Sequence, residues 1–308
     1  LSFFIGGMTC VVADEIFKSY ENVDAVVGLS FKVDEGEVFG LLGPNGAGKS
    51  TTIRMLLDFL KPDRGKIEIL GTKFTEGTKE HIGYLPEERG LYENITVMQN
   101  LLYLATLKGI DQKTAKNRAR SLLLRIGLEE KENAKVNELS RGMGQLCQFC
   151  ATLIHEPSLL ILDEPFAGLD PNNRELVKKI IEEEKQKGRT IILSTHMMNE
   201  VEELCDRVLM ISYGRRVLYG EVENIKESYA SHCVFVEFEG SMPKLDGVQE
   251  SKVTNNTAEL FLRVDTTPQN ILRQLVQHGT QIKKFDVKEL SLNQIFIKVV
   301  EAEKWLNP

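Results

Sequence analysis

The stretch FGLLGPNGAGKST, Phe39 to Thr51, constrains this chain more than any other. It satisfies G-x-x-x-x-G-K-[ST], a pattern whose meaning depends on its flanks. The apolar run before it reads as a strand. TTIRMLLDFLKP after it reads as an amphipathic helix stopping at Pro62. A turn of this kind between strand and helix predicts a βα unit whose backbone N–H groups converge on a polyphosphate. Gly43, Gly46 and Gly48 let the backbone turn, and the helix N-terminus adds partial positive charge. Lys49 is placed to reach the β- and γ-phosphates, and the Ser50 hydroxyl to ligate Mg²⁺.

A second apolar run, LLILDEP from Leu159 to Pro165, predicts a strand buried on both faces, as in a parallel sheet. Asp163 at its end is expected to hold Mg²⁺, directly or through water. Glu164, one residue on, is expected to polarise an attacking water. RTIILSTH predicts another buried strand, with His196 one residue beyond it. From about Asn94 to Ile126 apolar residues recur three and four apart, so helices are inserted between the strand blocks. The class is therefore α/β, with a mixed sheet core and a helical subdomain.

The Asn-Lys-x-Asp tetrad that would specify guanine is absent. Tyr20, ahead of the phosphate loop, is an aromatic that could stack on adenine, although a lone Tyr is more often a half-buried strand residue. Composition narrows the classes further. The chain has 308 residues, 42% of them hydrophobic, enough for one large domain or two smaller ones. Its net charge of -7 argues against a nucleic-acid partner. No run reaches the ~18 apolar residues of a membrane span. The opening LSFFIGGMTC lacks a basic region and cleavage site, so it does not read as a signal peptide. Since the chain begins with Leu, Leu1–Gly7 is expected to be an extension from a mis-called start. Five scattered cysteines suit a reducing compartment. Cys147-x-x-Cys150 invites a metal or redox reading, but Cys147, Cys150, Ala151 and Ile154 share one helical face and read as core.

NELSRGMGQ (137–145), FAGLDP (166–171) and STH (194–196) complete an ordered set. With the two sites above, this set resembles the ATPase subunits of ABC transporters over roughly residues 9–220. The resemblance implies an ABC-type P-loop NTPase fold that binds ATP and Mg²⁺. It makes Gly43, Pro44, Asn45, Gly46, Ala47, Gly48, Lys49, Ser50 and Thr51 the Walker A loop and Tyr20 the adenine-stacking aromatic. Asp163 and Glu164 become the Walker B aspartate and catalytic carboxylate, and His196 the switch histidine. Ser140, Arg141, Gly142 and Met143 lie in the signature, and Asp170 in the D-loop. Ser140 and Gly142 are expected to open a helix and complete the site of a second copy, so the resemblance implies a dimer, expected to be a homodimer, enclosing two ATP molecules. A separate integral membrane permease would set the substrate and hold the subunit at the cytoplasmic face of the membrane.

Two departures stand out. Arg141 and Met143 replace the first Gly and the Gln of Leu-Ser-Gly-Gly-Gln, and in IGYLPEERGLY (82–92) Glu87 stands where the family carries Gln. A carboxylate there can still ligate Mg²⁺ or water. Both departures resemble a bacterial exporter branch that includes sodium-efflux-type ATPases, as does LSLNQIFIKVV near the C-terminus. Non-transport ABC ATPases fit less well. The interval between Walker A and the signature shows no sustained heptads for a repair-type coiled coil, and there is one ATPase unit, not two. A bare regulatory module would not need Glu164 and His196. The expected organisation is an ATP-binding domain over 1–220, its helical subdomain about 92–157, and a small α+β accessory domain over 221–308, where Ser291 is expected to cap the last helix.

Overall fold

Two long strands, β1 (Thr9–Tyr20) and β2 (Val23–Asp34), pair antiparallel and place Val11, Ile16, Leu29 and Val33 in the core. The structure, a computed structural model, describes residues 8–306 other than 22, 89, 231–232, 264 and 288–289. The expectation about Leu1–Gly7 lies outside them. After the turn at Glu35–Glu37, β3 (Val38–Leu42) leaves the first sheet and becomes a central strand of another, so the strands flanking that turn do not form a hairpin. Helix α1 (Lys49–Leu56) follows, and β4 (Arg64–Ile69) returns to pair with β1.

The helix stops at Leu56, short of the expected end at Pro62. Asp58 adopts φ 59°, its N–H bonds Met55 O at 3.2 Å, and Phe59 N–H bonds Arg54 O at 2.9 Å. This pair of bonds around a left-handed residue closes a helix C-terminus, here without glycine.

A short helix α2 (Glu76–Glu80) precedes β5 (Ile82–Leu85). Three helices then intervene: α3 (Val97–Leu107), α4 (Gln112–Arg125) and α5 (Arg141–Leu153). Thr96 and Asp111 cap the first two through their side chains. The chain re-enters the sheet as β6 (Leu159–Asp163) and continues through α6 (Pro171–Gln186), β7 (Thr190–Thr195), α7 (Met198–Leu204), β8 (Arg207–Ser212) and β9 (Arg215–Glu221). The order is β5-β6-β7-β3-β8-β9, with the first five strands parallel. Every residue of β3, β6 and β7 is buried, as a sheet covered on both faces requires. Each buried Leu or Ile contributes about 1.5–3 kcal/mol relative to exposure.

Two compact units divide between Tyr219 and Gly220. In the second, α8 (Val222–Ala230), β10 (Cys233–Glu239), β11 (Val248–Thr254), β12 (Thr257–Leu262), α9 (Pro268–Gln277), β13 (Gln281–Val287) and α10 (Leu292–Leu306) follow in order. The strands form an antiparallel sheet β11-β12-β10-β13, with Val234, Val236, Phe238, Leu260, Ile271 and Leu275 at its core. Ser291 Oγ accepts from Gln294 N–H at 3.3 Å and caps α10. No helix among the described residues is long and apolar enough to cross a membrane.

His155 follows α5. Its Nε2 lies 3.0 Å from Ile82 O, and since a carbonyl only accepts, that nitrogen carries the proton. Nδ1 is buried without a hydrogen-bond partner among the described residues. Burial, with Lys108, Arg189 and Arg118 nearby, pushes the ring's pKa down to about 4 from 6.5. The unfolded chain therefore takes up this proton at higher pH than the native one, and stability is lost as pH falls from 6.5 towards 4. In urea melts across that window, wild type should lose on the order of 3 kcal/mol more than His155→Gln, whose amide can still donate to Ile82 O. Equal losses would remove His155 as the titrating group.

Candidate nucleotide site

The parallel register aligns the C-terminal ends of the central strands. Leu42 stands opposite Thr195 and Met210, Asp163 opposite Ser194, and Leu85 opposite Leu162. The loops after β3, β5, β6 and β7 therefore emerge on one edge, where open α/β sheets bind ligands. A cavity of about 320 Å³ lies there, lined by Asn45, Gly46, Gly48, Lys49, Ser50 and Thr51, by Glu87, Asp163 and Glu164, and by Val23 and Ala25 of β2.

The loop after β3 wraps tightly into α1. Gly48 has φ 109°, and a Cβ there would lie 2.4 Å from Ala25 O, so only glycine fits between the loop and β2. No side chain caps α1, which leaves its first N–H groups available to an anion. Lys49 is 7% exposed, and its Nζ donates to Gly43 O at 2.8 Å and Pro44 O at 3.2 Å. Burial lowers its pKa, while Glu164, Asp163 and Glu87 act in the opposite direction. The ammonium is thus held beneath the loop, with three carboxylates in its field.

Asp163 ends β6 at 3% exposure, and its Oδ1 has no hydrogen-bond partner among the described residues. Burial raises its pKa, with Glu87 and Glu164 adding to the effect and Ser194 and Ser50 opposing it. An unpaired buried carboxylate oxygen beside a serine hydroxyl suits a divalent cation. Among the described residues no three His, Cys, Asp or Glu side chains are close enough to hold a metal by themselves. That donor set fits Mg²⁺, which takes one or two protein oxygens and completes its shell with water and substrate phosphates.

Glu164 adopts φ 49°, a left-handed conformation that costs a non-glycine residue energy and occurs often at functional sites. Its N–H bonds Ser194 O at 2.9 Å, which fixes the turn beside β7. His196 Nδ1 lies 2.8 Å from Glu164 Oε1, and the Thr195 hydroxyl lies 3.3 Å from Oε2. Thr195 and the β2 residues Val23 and Ala25 were not expected at the site. Thr195 could have been found from its place beside His196 in STH, whereas Val23 and Ala25 carry no local signal.

Other expected residues lie elsewhere. Tyr20 ends β1 opposite the cavity-lining Val23 and is 42% exposed. Ser140 caps α5, accepting from Met143 N–H at 3.3 Å. Ser140, Arg141, Gly142 and Met143 do not line the cavity of their own chain. Arg141 lies against Gly168. Asp170 caps α6, accepting from Asn173 N–H at 3.0 Å. Cys147 and Cys150 are buried in α5, and burial pushes both thiols up, Cys147 to about 12, as core packing requires. Gln145 and Gln148 are polar yet buried on the same helix. In the sequence that stretch reads as apolar packing, and the two amides within it are the visible irregularity.

A family model described as ABC transporter matches residues 26–167, and one for the C-terminal domain of DrrA1-3-like ATP-binding proteins matches residues 220–300. The uncharacterized ABC transporter ATP-binding protein YhaQ of Bacillus subtilis is 39% identical over 94% of this chain and 98% of its own length. The Nod factor export ATP-binding protein I of Rhizobium etli is 35% identical, covering 96% of this chain and 95% of its own. Among solved structures, cbiO1 from Clostridium perfringens, part of the ABC transporter complex cbiONQ, superposes with a TM-score of 0.64. It shares 29% identity and covers 71% of this chain and 90% of its own. With relatives of such identity running almost end to end along it, the chain belongs to the ATP-binding, ATP-hydrolysing subunits of ABC transporters.

Proposed function

We propose that this chain drives export by closing as a pair of copies around two Mg·ATP and passing that motion to a separate membrane permease. The observation that carries the reading is the convergence of Lys49, Ser50, Glu87, Asp163 and Glu164 on one cavity, with His196 2.8 Å from Glu164. Residues 1–220 are assigned the ATP chemistry, with 92–157 as the helical subdomain and 221–308 as an accessory domain.

The loop from Gly43 to Thr51, including Pro44, Asn45 and Ala47, wraps the phosphates with its N–H groups, and Lys49 turns from its carbonyls to them. Tyr20 stacks on adenine at the open side of β2. Ser50, Asp163 and Glu87 supply the oxygens for Mg²⁺, directly or through water. When bound there, Mg²⁺ neutralises charge on the transferring phosphoryl group. Glu164 orients the attacking water and accepts its proton, and His196 holds that carboxylate and faces the γ-phosphate. Ser140, Arg141, Gly142 and Met143 head α5 away from their own cavity, so they cover the nucleotide of the second copy, with Asp170 following at the D-loop. Covering excludes water and strengthens each of these contacts.

Tyr92 and Tyr103 suit the permease contact. They are 55% and 44% exposed, with ring centroids 5.5 Å apart, edge to face. Buried Asn100 fixes the backbone of Tyr92 through two bonds, at 2.8 and 3.0 Å. A rigid exposed aromatic pair of this kind suits an interface. Docked there, the subunit sits at the cytoplasmic face of the membrane.

Three measurements test these assignments. Glu164→Gln should retain ATP binding, lose about 10² or more in turnover, and favour an ATP-bound dimer in size-exclusion chromatography. Wild-type-like turnover would remove Glu164 from catalysis. Lys49→Ala should weaken ATP binding in calorimetry by roughly ten- to a hundredfold, and unchanged affinity would count against the phosphate-loop reading. Purification from detergent-solubilised native membranes should recover a multi-span membrane protein in stoichiometric amount. Recovery of ribosomes or repair proteins instead would overturn the transport reading and leave the ATPase chemistry standing.

A further inference from the structure

We propose that Gln148 is the positioning residue that holds Glu87 at the nucleotide cavity. The inference rests on the reading of Glu87 as a ligand of Mg²⁺ or its water.

Gln148 lies in α5 and is 4% exposed. Its Nε2 donates to Pro86 O at 3.1 Å and to Glu88 O at 3.0 Å, and its Oε1 accepts from Gly90 N–H at 2.9 Å. A primary amide has two protons to give, and both go to carbonyls flanking Glu87. The Glu87 side chain, by contrast, is exposed, so its place in the cavity wall depends on its backbone.

The strand before the loop is tied to the same helix. Thr152 Oγ1 lies 3.3 Å from Tyr84 O. A Cβ on Gly83 would lie 2.6 Å from Thr152 O, so β5 can lie directly on the end of α5 only with glycine there. At the other end of α5, Gln145 Nε2 reaches Pro165 O at 3.5 Å, just after Glu164. One helix thus carries the turn expected to cover the second copy's nucleotide and grips the loops bearing Glu87 and Glu164. Gln148 is the member of that set whose amide uses both of its protons and its oxygen in short bonds to one loop. A glutamate in its place would set acceptors against two carbonyls, so the device requires an amide.

The test is a double-mutant cycle on the full-length chain, reading the Mg²⁺ concentration for half-maximal ATPase at saturating ATP, with thermal melting as the folding control. Gln148→Met keeps the length and removes the bonds. It should raise the half-maximal Mg²⁺ about five- to tenfold, with a smaller effect on the rate at saturating Mg²⁺. Gln148→Glu, the same shape without the donors, should do likewise and serves if the methionine variant unfolds. In a Glu87→Ala background either change should add nothing. Shifts that multiply in the double variant, or a silent Gln148→Met beside an impaired Glu87→Ala, would overturn the positioning role alone. A Glu87→Ala chain with wild-type Mg²⁺ dependence would remove Glu87 from the site and overturn both readings.

Discussion

The parallel pairing of β5, β6, β7 and β3 is the constraint on which the rest depends. Parallel strands in register end on one edge of the sheet. Four loops with no sequence relation to one another are therefore delivered to the same few ångströms. Asp163 is the last residue of its strand, and Lys49, Glu87, Glu164 and His196 lie between one and seven residues after a strand end, short enough for the rigid sheet to aim each of them. Strands buried on both faces cannot slip without exposing leucines, so the alignment is as stable as the core.

The carboxylates illustrate the tension in such a site. Among the described residues, buried Asp163 has an oxygen without a partner, and Lys49, buried beneath the loop, has only carbonyls at bonding distance. Each would be a poor choice for stability alone. Together they set opposite charges against one cavity, and the left-handed Glu164 adds local strain at the same place. The costs are carried by the surrounding apolar sheet.

Much of this was legible in the sequence, and for physical reasons. The phosphate loop, LLILDEP and RTIILSTH carry their own context, since glycine, apolar runs and terminal carboxylates each have a local consequence. What was not legible involved partners distant in the chain. β2 and β3 flank one turn yet enter different sheets, a choice made by tertiary pairing. The end of α1 depended on Asp58 tolerating a left-handed conformation that glycine usually supplies. Strand β5 is four residues long, and β11 is exposed at nearly every position, so neither offered a periodicity to read. Gln148 looked like an irregularity on an apolar face because the carbonyls it binds lie some sixty positions earlier.

The cysteines described as core have a practical consequence. All five are buried, with no disulfide among the described residues, and burial raises the thiols of Cys10, Cys147, Cys150 and Cys205 away from the reactive thiolate form. The native surface is therefore nearly silent to alkylating dyes and spin labels. A single cysteine placed on an exposed helix face becomes the dominant reporter, so its surroundings can be followed as nucleotide is added without first stripping the protein of its own sulfur.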